Sequence, residues 1–126
     1  MKKVLTTLLI LLTSSSAFAQ ATNNSKLSWI QPLDTLVTSA AQAQALVYKQ
    51  YPDNAVTGIV LLNVTCTGTT AIICTAPLPA YTVGSHTITI TAAQTTDPTT
   101  ESIKSNVVLF TFKIIVSSPT NVTIIS

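Results

Sequence analysis

Residues 65–92, TCTGTTAIICTAPLPAYTVGSHTITITA, decide the fold class. Their final run alternates with a period of two: His86, Ile88, Ile90 and Ala92 share one face, and Thr87, Thr89 and Thr91 share the other. That is the pattern of an antiparallel strand with one face in a core and one in water. The run therefore predicts His86, Ile88 and Ile90 inside and a solvated threonine face. Earlier in the stretch, Cys66 and Cys74 flank Gly68, a spacing that suits a hairpin with its tip near residues 68–71 and two thiols facing across neighbouring strands.

The start of the chain sets the compartment. Lys2 and Lys3 precede an apolar run, residues 4–12, and then Ala17-Phe18-Ala19, which together read as a signal peptide over 1–19 cleaved before Gln20. The apolar run is too short for a spanning helix of about 20 residues. A secreted or periplasmic chain meets oxidising conditions, so Cys66 and Cys74 are expected as one disulfide. Closing so short a loop stabilises by about 2–3 kcal/mol in the chain-entropy model. Two thiols with one distant histidine fall short of a four-ligand metal shell, so no metal and no cofactor are expected.

Without the leader, Lys26, Lys49, Lys104 and Lys113 match Asp34, Asp53, Asp97 and Glu101 one for one, and no arginine is present. A neutral chain has no basic patch with which to gather phosphates, which argues against nucleic-acid binding. Low charge here accompanies 47% hydrophobic residues, rich in β-branched types, so one core is within reach.

After a flexible lead-in over 20–25, KLSWIQ (26–31) reads as a strand with Leu27 and Trp29 inward, ended by Pro32. Residues 33–43 run into the helix-forming SAAQAQA (39–45) but lack a stripe long enough to hold a helix by packing, so a long loop is expected over 33–43. Residues 44–51 are a strand of open register, with either Leu46 and Tyr48 inward beside Gln44 and Gln50, or Ala45, Val47 and Tyr51 inward beside Lys49. Residues 56–65 are strongly apolar, as in a strand covered on both sides or set at a sheet edge. Residues 94–104 form a polar loop with Asp97-Pro98 at its tip. Residues 106–116 form a closing strand with Val108, Phe110, Phe112 and Ile114 on one side, and 119–126 is a tail with an apolar end. Short strands, turn residues and no long amphipathic helix predict an all-β antiparallel sandwich over 26–118.

In order, these pieces resemble a fibronectin type III domain, an immunoglobulin-like sandwich, of exported bacterial or phage-encoded proteins. Leu27-Ser28-Trp29-Ile30-Gln31-Pro32 is similar to that family's L-x-W-x-x-P strand, whose Trp lies in the core. Residues 76–79 and 84–92 are similar to its leucine-turn, P-G-T-x-Y and V-x-V-x-A segments, and Glu101-Ser102-Ile103-Lys104-Ser105-Asn106 to its E-S-x-x-S-N entry to the last strand. His86 stands where the family carries a tyrosine that bonds back to the preceding corner, and Val83 stands in place of a proline. The resemblance implies an imidazole N–H in the tyrosine's role. With little chain before Lys26, it also implies a first strand that is short or missing, and so an open sheet edge.

Nothing in the residues assembles a nucleophile, a base and an orienting group: the one histidine lies in a strand pattern, Asp97 and Glu101 share a polar loop, and Gly58, Gly68 and Gly84 are scattered. Enzyme activity is not expected. The first functional expectation is a secreted, non-catalytic binding or adhesion module that meets a protein or glycan surface through its loops, with Asp34, Thr35, Asp97 and Glu101 as candidate contacts. The alternative is a structural subunit that self-assembles into a homo-oligomer by β-strand addition at the open edge.

Overall fold

The computed structural model describes residues 9–11 and 19–125. Among these residues nine strands form two sheets. Leu9–Leu11 (β1), Lys26–Gln31 (β3), Ile72–Pro77 (β7) and Thr65–Thr67 (β6) make the first, in the order β1-β3-β7-β6. Ala19–Thr22 (β2), Val108–Lys113 (β9), Gly84–Ala93 (β8), Val47–Pro52 (β4) and Ile59–Val60 (β5) make the second, in the order β2-β9-β8-β4-β5. The strand pairs are antiparallel apart from β2, which runs parallel to β9. The chain is thus an all-β sandwich.

Alternation along the strands builds the layer between the sheets. Leu27, Trp29, Ile72, Cys74 and Ala76 from the first sheet meet Tyr48, Ile88, Ile90, Ala92, Phe110 and Phe112 from the second, in one buried cluster. Each large aliphatic side chain buried this way contributes about 1.5–3 kcal/mol. Trp29 and Tyr48 stack tilted across the layer, with ring centroids 5.0 Å apart. The open register of β4 closes on Tyr48 and Gln50 inward, at 1% and 3% exposure. Burial takes the Tyr48 phenol well above its ordinary pKa, and its hydroxyl donates to the Ala43 carbonyl at 2.8 Å. Cys66 and Cys74 are register partners in the β6–β7 hairpin and are joined by a disulfide.

The structure departs from the sequence reading at several points. The lead-in is not loose: β2 occupies its start, and Ala21 is buried against β9. Two short strands precede β3, β1 on one sheet and β2 on the other, where the resemblance implies a first strand short or missing. Residues 33–43 are not wholly loop, since Ala40–Gln44 form a helical turn (α1). Ser39 caps it by accepting from the Gln42 N–H, and buried Ala43 docks it on the core, so a cap and one contact replace the missing stripe. The closing strand is shorter than expected. It ends at Lys113, and Ile114 is 61% exposed because β2, its neighbour, also stops there.

The threonine face of β8 is the largest difference. Thr89 and Thr91 are buried: Tyr51 lies opposite Thr89 on that face and the Glu101 carboxylate accepts from the Thr91 hydroxyl, while residues 102–105 run along the β8 edge. The pairing of β8 with β9 spans only Gly84 to Ile88. Beyond it, Ser102 N–H donates to Ala92 O and Ser105 N–H to Ile90 O, at 2.8 and 3.0 Å. The hydroxyls of Ser102 and Ser105 accept from the N–H groups of Ala92 and Ile90, at 3.0 and 2.9 Å. Three residue steps on one side match two on the other, so the hydroxyls fill places that carbonyls hold in a regular ladder.

Candidate binding cleft at the loop end of the sandwich

The two long loops, 32–46 after β3 and 94–107 after β8, meet at one end of the sandwich. Each is shaped by its own short polar side chains. Asp34 Oδ1 accepts from the N–H groups of Leu36 and Val37, at 2.7 and 3.0 Å, which turns the chain and sets Val37 into the core. Asp97 caps the 3-10 turn Pro98–Thr100 by accepting from the Thr99 N–H at 3.1 Å. Thr95 Oγ1 donates to the Ala45 carbonyl at 2.7 Å and ties one loop to the other.

Between them lies a cleft of about 260 Å³ whose walls include Leu36, Gln42 and Leu46 from the first loop and Gln94, Thr95 and Thr96 from the second. The lining is uncharged and mixes apolar side chains with amides and hydroxyls. Such a surface bonds neutral donors and acceptors and has no fixed charge with which to hold an ionic group.

The four residues named from sequence as loop contacts mostly play another part. Asp34 and Asp97 are spent on their own turns. Glu101 accepts from the hydroxyls of Tyr51 and Thr91 and faces the Lys49 ammonium at 3.8 Å. Burial alone would raise the Glu101 pKa, but those two hydroxyls and the charges of Lys49 and Lys104 hold it below its ordinary value. Glu101 is therefore an anchor that pins the second loop to the sheet, and the Lys104 ammonium, 4.5 Å from the Tyr51 ring centroid, adds to the clasp. Thr35 is exposed on the first loop. The wall residues were missed because Gln, Thr and Leu carry no signature by type. The turn-forming acids beside them are what mark the place.

His86 lies at the rim of the sandwich and not in its core. Its Nδ1 lies 2.8 Å from Asp53 Oδ2 and its Nε2 lies 2.7 Å from the Thr82 carbonyl. A carbonyl only accepts, so Nε2 carries a proton, and a carboxylate partner favours one on Nδ1 as well. The hydrogen bond to Asp53 and the one to Thr82 raise the His86 pKa and, reciprocally, His86 and the Thr87 N–H lower that of Asp53. The bond to Thr82 ties the ring back to the segment four residues upstream. Tyr81 completes the cluster, edge-on to Phe110 at 5.0 Å and donating to Gln50 Oε1.

Among the described residues there is no group of three or more His, Cys, Asp or Glu that could hold a metal ion, and no helix is long and apolar enough to cross a membrane. Against protein-family models, curated proteins and solved structures, the chain gives no match.

Proposed function

We propose that this chain is an exported, non-catalytic binding module of the immunoglobulin-like, fibronectin type III kind, which meets a protein or glycan surface through the cleft between its two long loops. The cleft carries the reading. Two loops whose shape is held by Asp34, Asp97 and Glu101 present an uncharged, partly apolar hollow on a rigid sandwich, which is where binding residues on such scaffolds usually sit. The strand order supports the kinship: in the part kept after cleavage, β3-β7-β6 corresponds to the B-E-D strands of immunoglobulin-like domains, and β9-β8-β4 to the facing G-F-C strands. The leader pattern and the Cys66–Cys74 disulfide support export.

The test is binding of labelled protein to intact cells, to a glycan panel and to an extracellular protein panel, each against a blank, for the wild type and for a Thr95→Arg/Thr96→Arg variant. Expected is a signal above the blank that falls tenfold or more in the variant while the melting temperature holds. A wild type at blank level, or a variant that binds as well as the wild type, overturns the reading.

A further inference from the structure

Leu9–Leu11 lies inside the segment read as the leader, yet in the folded chain it is a strand on the edge of β3, with Leu9 opposite Ile30, Ile10 opposite Trp29 and Leu11 opposite Ser28. Cleavage before Gln20 removes it. The β3 edge on the side away from β7 then loses its partner, and its backbone N–H and C=O groups form an open template. The same register shows what that edge accepts: a short apolar strand, antiparallel to β3.

The chain carries an apolar segment suited to that place elsewhere, in its tail. Beyond Lys113 no strand forms among the described residues, and Val122, Ile124 and Ile125 are 82%, 97% and 92% exposed. Residues 122–125 are Val, Thr, Ile and Ile, all β-branched and suited to a strand. Direction decides whose edge they fill. Thr22 pairs with Lys113, and Asn23 Oδ1 accepts from the Ile115 N–H at 3.0 Å, so the tail leaves its own domain at the Lys26 end of β3. Running straight along its own β3, it would lie parallel. A tail arriving from another copy enters at the Ile30 end and takes the antiparallel register of β1.

We propose that in the cleaved protein residues 122–125 of one copy occupy the β3 edge vacated by Leu9–Leu11 in the next. The inference rests on the proposed function only for the removal of residues 1–19. In this contact each copy gives one donor segment and one acceptor edge, a head-to-tail arrangement that extends into chains unless two copies exchange tails reciprocally.

The test uses protein purified from cells that export the full gene product, with its first residue identified by mass spectrometry. Expected are a chain beginning at Gln20, light scattering that grows with concentration, a monomer in the Ile124→Asp/Ile125→Asp variant, and shortened chains when a free peptide of residues 119–126 is added. The tail is exposed within its own copy, so the variant still folds and unfolds cooperatively, with a melting temperature lowered only by the lost pairing between copies, and amide exchange at residues 28–30 speeds up in it. Retained residues 1–19, a monomer at every concentration, or assembly that persists in the variant overturns the proposal. Cleft binding is read on the same variant: a monomer that still binds has lost assembly alone, whereas Thr95→Arg/Thr96→Arg loses binding and keeps the chains.

Discussion

Gly68 shows how much one residue carries at the hairpin tip. Its φ of +121° lies where L side chains rarely go, and an added Cβ would sit 2.0 Å from the Ala71 carbonyl oxygen. At Gly84 the φ is similar, +129°, but an added Cβ meets nothing within 4 Å. Gly84→Ala is therefore expected to cost about 1–3 kcal/mol of backbone strain, and Gly68→Ala clearly more, since the tip must also shift against the disulfide. Denaturant unfolding of both variants checks this, and equal losses would count against it. The glycine, the flanking cysteines and the inward Leu27 and Trp29 were legible because turn chemistry and alternation are local. His86 was misread because alternation assigns a side but says nothing of depth. Its place at the rim is set by Asp53, a residue distant in sequence that the fold brings to it.

Among the elements, the serine-mediated edge of β8 is the one that periodicity hides. Thr89 and Thr91 look like a wetted row, and Tyr51 beside them with Glu101, brought there by the return of residues 101–105 along the β8 edge, buries them. Ser102→Ala and Ser105→Ala each leave a buried N–H, that of Ala92 or Ile90, without its hydroxyl acceptor. Each is expected to cost about 1–3 kcal/mol, with faster amide exchange at Ala92 and Ile90 respectively. Unchanged exchange at those two amides would show that the hydroxyls do not hold the strand. The helical turn α1 was undervalued for a related reason. Composition favoured it, but its stability comes from the Ser39 cap and from Ala43 docking on the core, which are matters of position.

For the molecule as a whole, the charged clasps set the response to pH. His86, with a pKa raised above its ordinary 6.5, contributes stability that is full below that value and is lost as the pH rises through the raised one. Asp53 and Glu101, lowered from ordinary values of 3.8 and 4.5, contribute above those values and lose it as the pH falls through the lowered ones. Tyr81 stays neutral throughout, since burial and the nearby Asp53 charge raise its phenol. The melting temperature is therefore expected to be highest in the mildly acidic range between the ordinary carboxylate and imidazole values and to fall above it. The fall is modest, because the Asp53 side chain is 53% exposed and water screens the pair. In His86→Ala the alkaline limb should flatten, and a limb as steep as the wild type's would assign it elsewhere.

The sequence by itself determined the strand-rich class, the core tryptophan and the Cys66–Cys74 hairpin, because each depends on residues close along the chain or on composition alone. Tertiary structure decided which strands lie side by side, that Tyr51 and Glu101 shield a threonine row, that two remote loops line an uncharged cleft, and that β3 accepts an apolar strand on its edge. Those are contacts between segments far apart in the chain, and no local period encodes which segment will meet which.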